Sequence, residues 1–72
     1  MFIISRKGNR GAILHDYEFI DGYSGKLGIV PDRIKINGIV FGEYVCIEDY
    51  NDARQGLILA IQDKKVERYQ LQ

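Results

Sequence analysis

Few side chains in this sequence have the chemistry to react. His15 is the only histidine and Cys46 the only cysteine among 72 residues. Together they would make a thiolate–imidazole nucleophile, and His15 alone would serve as a general base or a metal ligand. Their surroundings point elsewhere. His15 shares a strand face with Ile13 and Tyr17 and has no second ligand type nearby, the setting of a histidine hydrogen-bonded to backbone. Cys46 lies in an apolar run, where a thiol behaves as a small buried hydrophobe and its pKa rises. Glu48, Asp49, Asn51 and Asp52 form an acidic cluster that meets only the first two positions of a D-x-[DN]-x-[DN]-G calcium loop. A solvated loop or a helix cap accounts for it. As a glycosidase-type pair these carboxylates would have to face each other across a cleft, for which so short a chain has little room. The run Gly22-Tyr23-Ser24-Gly25-Lys26-Leu27-Gly28 lacks the Ser or Thr of a phosphate loop after its Lys, and no helix pattern follows. The expectation is a protein that is not an enzyme and holds no metal or cofactor.

The elements that would position these groups are read from hydrophobic period and turn chemistry. The strongest local signal is Arg33-Ile34-Lys35-Ile36, then Asn37-Gly38, then Ile39 to Ile47. Asn-Gly between two β-rich arms predicts a hairpin, because a type I′ turn needs positive φ at both central residues. Ile34 and Ile36 share one face, while the second arm is apolar on both. Gly42 predicts a bulge or bend in that arm. Further strands are predicted over Phe2–Ser5, Ala12–Ile20, Lys26–Val30, Leu57–Gln62 and Val66–Leu71. Basic turn residues Arg6 to Gly11 and the turn Asp21 to Gly25 separate the first of them. Residues 49–55 are read as one helical turn, capped by Asp49 or Asn51 and ended by Gly56, or as a loop. The predicted inward residues are Ile4, Ile13, Leu27, Ile29, Ile34, Ile36, Phe41, Val45, Ile47, Leu57, Leu59 and Ile61.

This pattern predicts one all-β unit over residues 1–72, an antiparallel barrel or sandwich of six or seven short strands. A chain of this length buries only roughly 60% of its unfolded surface. With one cysteine no intramolecular disulfide can form, so a reducing, cytoplasmic setting is expected. Oligomerisation is the remaining common source of stability. Ten basic and ten acidic side chains cancel, which argues against a general nucleic-acid binder. No apolar stretch is long enough for a membrane span, and Met1 to Ile4 precedes its charges rather than following them, unlike a signal peptide.

Gly25-Lys26-Leu27-Gly28-Ile29-Val30 resembles the Gly-Lys-x-Gly-x-Val core of KOW motifs, found in small barrels of ribosomal and transcription proteins. Leu27-Gly28-Ile29-Val30-Pro31 resembles the Gly-(Leu/Phe)-(Phe/Ile/Val)-Pro segment of SH3 domains, and His15-Asp16-Tyr17-Glu18 is similar to their Tyr-Asp-Tyr-Glu stretch. The chain between those two stretches is far shorter than in SH3 domains, and the Trp with which they grip proline-rich peptides is absent. Both resemblances imply a β-barrel of SH3-like or OB-like size and carry no function to this chain.

Five Tyr and three Phe exceed what so small a core can hide. A binding module acting by protein–protein contact is therefore expected, with another copy of itself as one partner. Its candidate contact residues are Tyr23, Tyr44, Tyr50 and Tyr69, with Arg10, Arg33 and Arg54 as polar anchors. The N-terminal or the last strand would supply the pairing edge. The size fits an inhibitor or accessory protein of a phage or other mobile element. The alternative is a nucleic-acid or nucleotide module, with Arg6, Lys7 and Arg10 meeting Lys26, Arg33 and Lys35, and Tyr17 or Tyr23 stacking on bases. Zero net charge disfavours it.

Overall fold

The computed structural model describes residues 1–14, 19–23 and 30–72. The predicted hairpin is present. Strand β4 (Arg33–Ile36) turns through Asn37 (φ 54°) and Gly38 (φ 78°) into β5 (Ile39–Glu43), the positive-φ pair that the Asn-Gly dipeptide demands. Ile34 and Ile36 are fully buried while Arg33 and Lys35 lie half-buried on the other face. The register then slips. Ile34 stands opposite Gly42 but Lys35 opposite Val40, so Phe41 is an extra residue in β5. That bulge turns two consecutive residues, Phe41 and Gly42, toward the interior. Gly42 is needed there, since a β-carbon on it would stand 2.6 Å from the Tyr44 hydroxyl and 2.8 Å from Leu71.

Strand β3 (Phe19–Gly22) pairs antiparallel with β4 and completes a sheet of order β3-β4-β5. A second sheet has order β2-β1-β6. Its centre is β1 (Phe2–Ile4), antiparallel to β2 (Gly11–Ile13) and parallel to β6 (Arg68–Gln70). Among the described residues the strands thus form two small sheets and no closed barrel. The N-terminal strand is central rather than at an edge, whereas the last strand does lie at one. Residues predicted as one strand over 12–20 contribute their two ends to different sheets. Residues 15–18 and 24–29, which hold all but the last residue of the predicted third strand and most of the resemblance motifs, lie outside the described residues.

The largest departure from the all-β reading is helix α1 (Ile47–Gln62). Leu57 to Gln62 is not a strand. Its buried residues continue a stripe that begins earlier, at Tyr50, Ala53, Leu57 and Ala60, a spacing of three and four that only a helix places on one face. Glu48 and Asp49 occupy the first turn, where negative charge suits the helix dipole. The residue at the N-cap is Cys46, in extended conformation, rather than Asp49 or Asn51. Gly56 does not end the helix but sits mid-way along it, where a β-carbon would stand 2.7 Å from the Tyr69 hydroxyl.

One core joins both sheets, the helix and the C-terminal tail through Ile3, Leu14, Ile34, Ile36, Phe41, Tyr44, Tyr50, Ala53, Leu57 and Leu71. Three residues predicted inward are instead exposed: Ile13 at 61%, Val45 at 80% and Leu59 at 55%. Leu59 lies off the helical stripe, and Val45 sits in the connection before α1 rather than in a strand. In β1 the phase is one residue off, with Ile3 rather than Ile4 fully buried, so Ile13, opposite Phe2, falls on the outer face.

Candidate functional site

The predicted tyrosine surface is not assembled. Tyr44 and Tyr50 are each 2% exposed and pack edge to face, ring centroids 6.0 Å apart. The Tyr44 hydroxyl donates to the Gln72 carbonyl at 2.8 Å. Burial pushes its pKa up to about 12, against a smaller downward pull from Arg6. Burial and the Asp21 carboxylate push Tyr50 up as well. Tyr69 is half-buried across Gly56 and is likewise raised by desolvation. Only Tyr23 stands clear, at 61% exposure. The arginine anchors are dispersed. Arg54 ties α1 to β3 through Asp21 at 3.2 Å, and Arg33 lies 4.0 Å from the buried carboxylate of Asp32. Lys26, Tyr17 and His15 lie outside the described residues.

Cys46 is partly buried at the start of α1. The Asp49 amide draws its thiol pKa down, but the Asp49 carboxylate, desolvation and Glu48 outweigh it, leaving a net rise. That opposes thiolate chemistry. Among the described residues no group of three or more His, Cys, Asp and Glu is placed to hold a metal ion. No helix among them is long and apolar enough to cross a membrane.

Two other surfaces do assemble. The first is a groove of about 370 Å³ between the β1–β2 turn and β5. Arg6, Lys7 and Arg10 line one wall, with Ser5 and Asn9, and residues Val40 to Glu43 line the other. The turn is built on Ser5, 2% exposed. Its hydroxyl donates to Asn9 Oδ1 at 2.9 Å and accepts from the Asn9 and Arg10 amides, each at 3.1 Å. Arg6 crosses to the other wall. Its amide donates to the Phe41 carbonyl at 2.7 Å and its Nη1 to the Glu43 carbonyl at 2.6 Å. Its guanidinium lies 4.6 Å from the Tyr44 ring centroid, a cation–π contact.

The second surface is the outer face of the β2-β1-β6 sheet with its β2 edge. Met1 and Leu14 exchange main-chain hydrogen bonds across the hairpin, and the Ser5 amide donates to the Arg10 carbonyl. By antiparallel alternation the N–H and C=O groups of Gly11 and Ile13 then point away from β1. No other strand among the described residues pairs with β2. Beside that edge Ile13 is 61% and Phe2 37% exposed. The edges at β6 and β5 are guarded. On β6 the exposed residues are Arg68 and Gln70, with Glu67 just before, and on β5 the outward carbonyls of Phe41 and Glu43 are taken by Arg6. Sequence reasoning passed over Phe2, Gly11 and Ile13. Their signal was a first strand apolar at every position, which in a thin fold must show one face to solvent.

Neither family models, curated proteins nor solved structures include any that match this chain.

Proposed function

We propose that this protein is a non-enzymatic binding module acting by protein–protein contact, and that β2 is the strand it offers, with a second copy of the chain as partner. The observation that carries this reading is the uncharged β2 edge, unpaired among the described residues. Natural sheet edges are usually blunted by charge, proline or a covering element. Here β6 carries charges and β5 is capped by Arg6, but among the described residues Gly11-Ala12-Ile13 has neither.

A two-fold axis at Ala12 makes the contact self-complementary. Antiparallel pairing then sets Gly11 against Ile13 of the second copy, and Ile13 against its Gly11. The ring of Phe2 rests over Gly11, so the incoming isoleucine arrives beside that ring. One symmetric operation covers both exposed apolar groups. Burial of Ile13 contributes roughly 1–2 kcal/mol per copy. The strand is only three residues long, so the interface belongs with the weak, transient contacts below about 1,200 Å². Light scattering at two protein concentrations tests the reading. A mass that rises toward the dimer supports it, and a strict monomer at both removes it.

Nucleic-acid binding stands second, on one observation: Arg6, Lys7 and Arg10 share a groove. Zero net charge and the presence of Glu43 in the same groove weigh against it. So does the lack of an exposed ring there, since Phe41 is 3% exposed and none of the groove's other described lining residues is aromatic.

A further inference from the structure

We infer that the groove between the β1–β2 turn and β5 is a docking site for an extended acidic peptide segment, separate from the β2 edge. The charge is the first argument. Arg6, Lys7 and Arg10 face a single carboxylate, Glu43, across the groove. The net excess of positive charge is therefore local in a chain that is neutral as a whole.

The second argument is preorganisation. Arg6 is held at its guanidinium by the Glu43 carbonyl at 2.6 Å and the Tyr44 ring at 4.6 Å. The main chain carrying Lys7 and Arg10 is fixed by the three hydrogen bonds of Ser5 with Asn9 and Arg10. An arginine already fixed in place loses little rotamer freedom when a carboxylate reaches it.

The third argument concerns what kind of partner fits. Arg6 occupies the outward carbonyls of both Phe41 and Glu43, so a ligand cannot add a strand to β5 through those groups. Recognition falls on side chains, and the cations set its sign. A nucleic-acid strand would bring evenly spaced phosphates past Glu43 and find no exposed ring among the described lining residues to stack on. A peptide can place its carboxylates toward Arg10 and Lys7 and a neutral or basic residue beside Glu43.

Fluorescence polarisation with a labelled glutamate-rich peptide, using the full chain, tests the inference. Binding is expected at low salt, weakening as salt is added. Arg10→Glu and Lys7→Glu, both at exposed turn positions, should each weaken it by about tenfold. Lys64→Glu, exposed and outside the groove, should leave it within about twofold. Three results would overturn the inference: no binding at low salt, an equal loss with Lys64→Glu, or tighter binding of a single-stranded RNA probe. The readout is peptide affinity rather than mass, so its failure is distinguishable from failure of β2 pairing.

Discussion

The tip of the Phe2 ring rests on the backbone of Gly11, so closely that a β-carbon at position 11 has no room while the ring stays where it is. The obstructing atoms are the far end of an aromatic side chain that is 37% exposed, so the ring can swing outward. Gly11→Ala should therefore keep the fold, with a stability loss of at most about 1 kcal/mol in urea unfolding. It should weaken self-association by several-fold, because the displaced ring and the added methyl group crowd the position that receives Ile13 of the second copy. A variant that unfolds outright would show that Phe2 is fixed more firmly than its exposure implies.

The same relationship recurs, with a different consequence, between Gly56 and Tyr69. Glycine inside a helix normally costs about 1 kcal/mol relative to alanine. Here a β-carbon would stand 2.7 Å from the Tyr69 hydroxyl but 3.9 Å from the ring carbon that bears it. Gly56→Ala alone should gain nothing or destabilise. In a Tyr69→Phe background it should gain about 0.5–1 kcal/mol. A double-mutant cycle by urea denaturation checks this, and two additive substitutions would contradict the packing described.

Alkaline pH should unfold the protein in a defined window. Burial raises the Tyr44 hydroxyl from an ordinary 10.0 to about 12, and Tyr50 and Tyr69 move in the same direction. The unfolded chain releases these protons first, so their contribution to stability is complete below pH 10 and that of Tyr44 is lost as pH rises toward about 12. Tyrosinate absorbance followed beside circular dichroism should show the buried tyrosines ionising together with loss of the fold. Ionisation of all five tyrosines near their ordinary value in a folded protein would contradict the burial.

The sequence made the hairpin legible because Asn37 and Gly38 require a backbone conformation that few residues accept, and that requirement is local. The bulge was legible at Gly42 for the same reason. Helix α1 was hidden because Leu57 to Ile61 is apolar at consecutive positions, which satisfies a strand and a helix equally. Only the earlier partners of the stripe, Tyr50 and Ala53, decide between them, and the polar residues around those two disguised their period. The tyrosines misled for a tertiary reason. The hydroxyl of Tyr44 finds the Gln72 carbonyl 28 residues further along the chain, a partner no local pattern announces. The arginines and lysine of the β1–β2 turn were legible as a basic cluster, but the opposing wall from β5 was not, since it depends on how two sheets meet.

The central claim is that β2 is the pairing strand. Amide hydrogen exchange at Gly11 and Ile13, followed as protein concentration is raised, tests it most directly. Both amides point away from β1 and should exchange quickly in dilute solution, then slow together as the dimer fills, while Ile13→Lys abolishes the slowing. Unchanged exchange at these two amides in a sample whose mass has doubled would place the contact elsewhere and contradict the account.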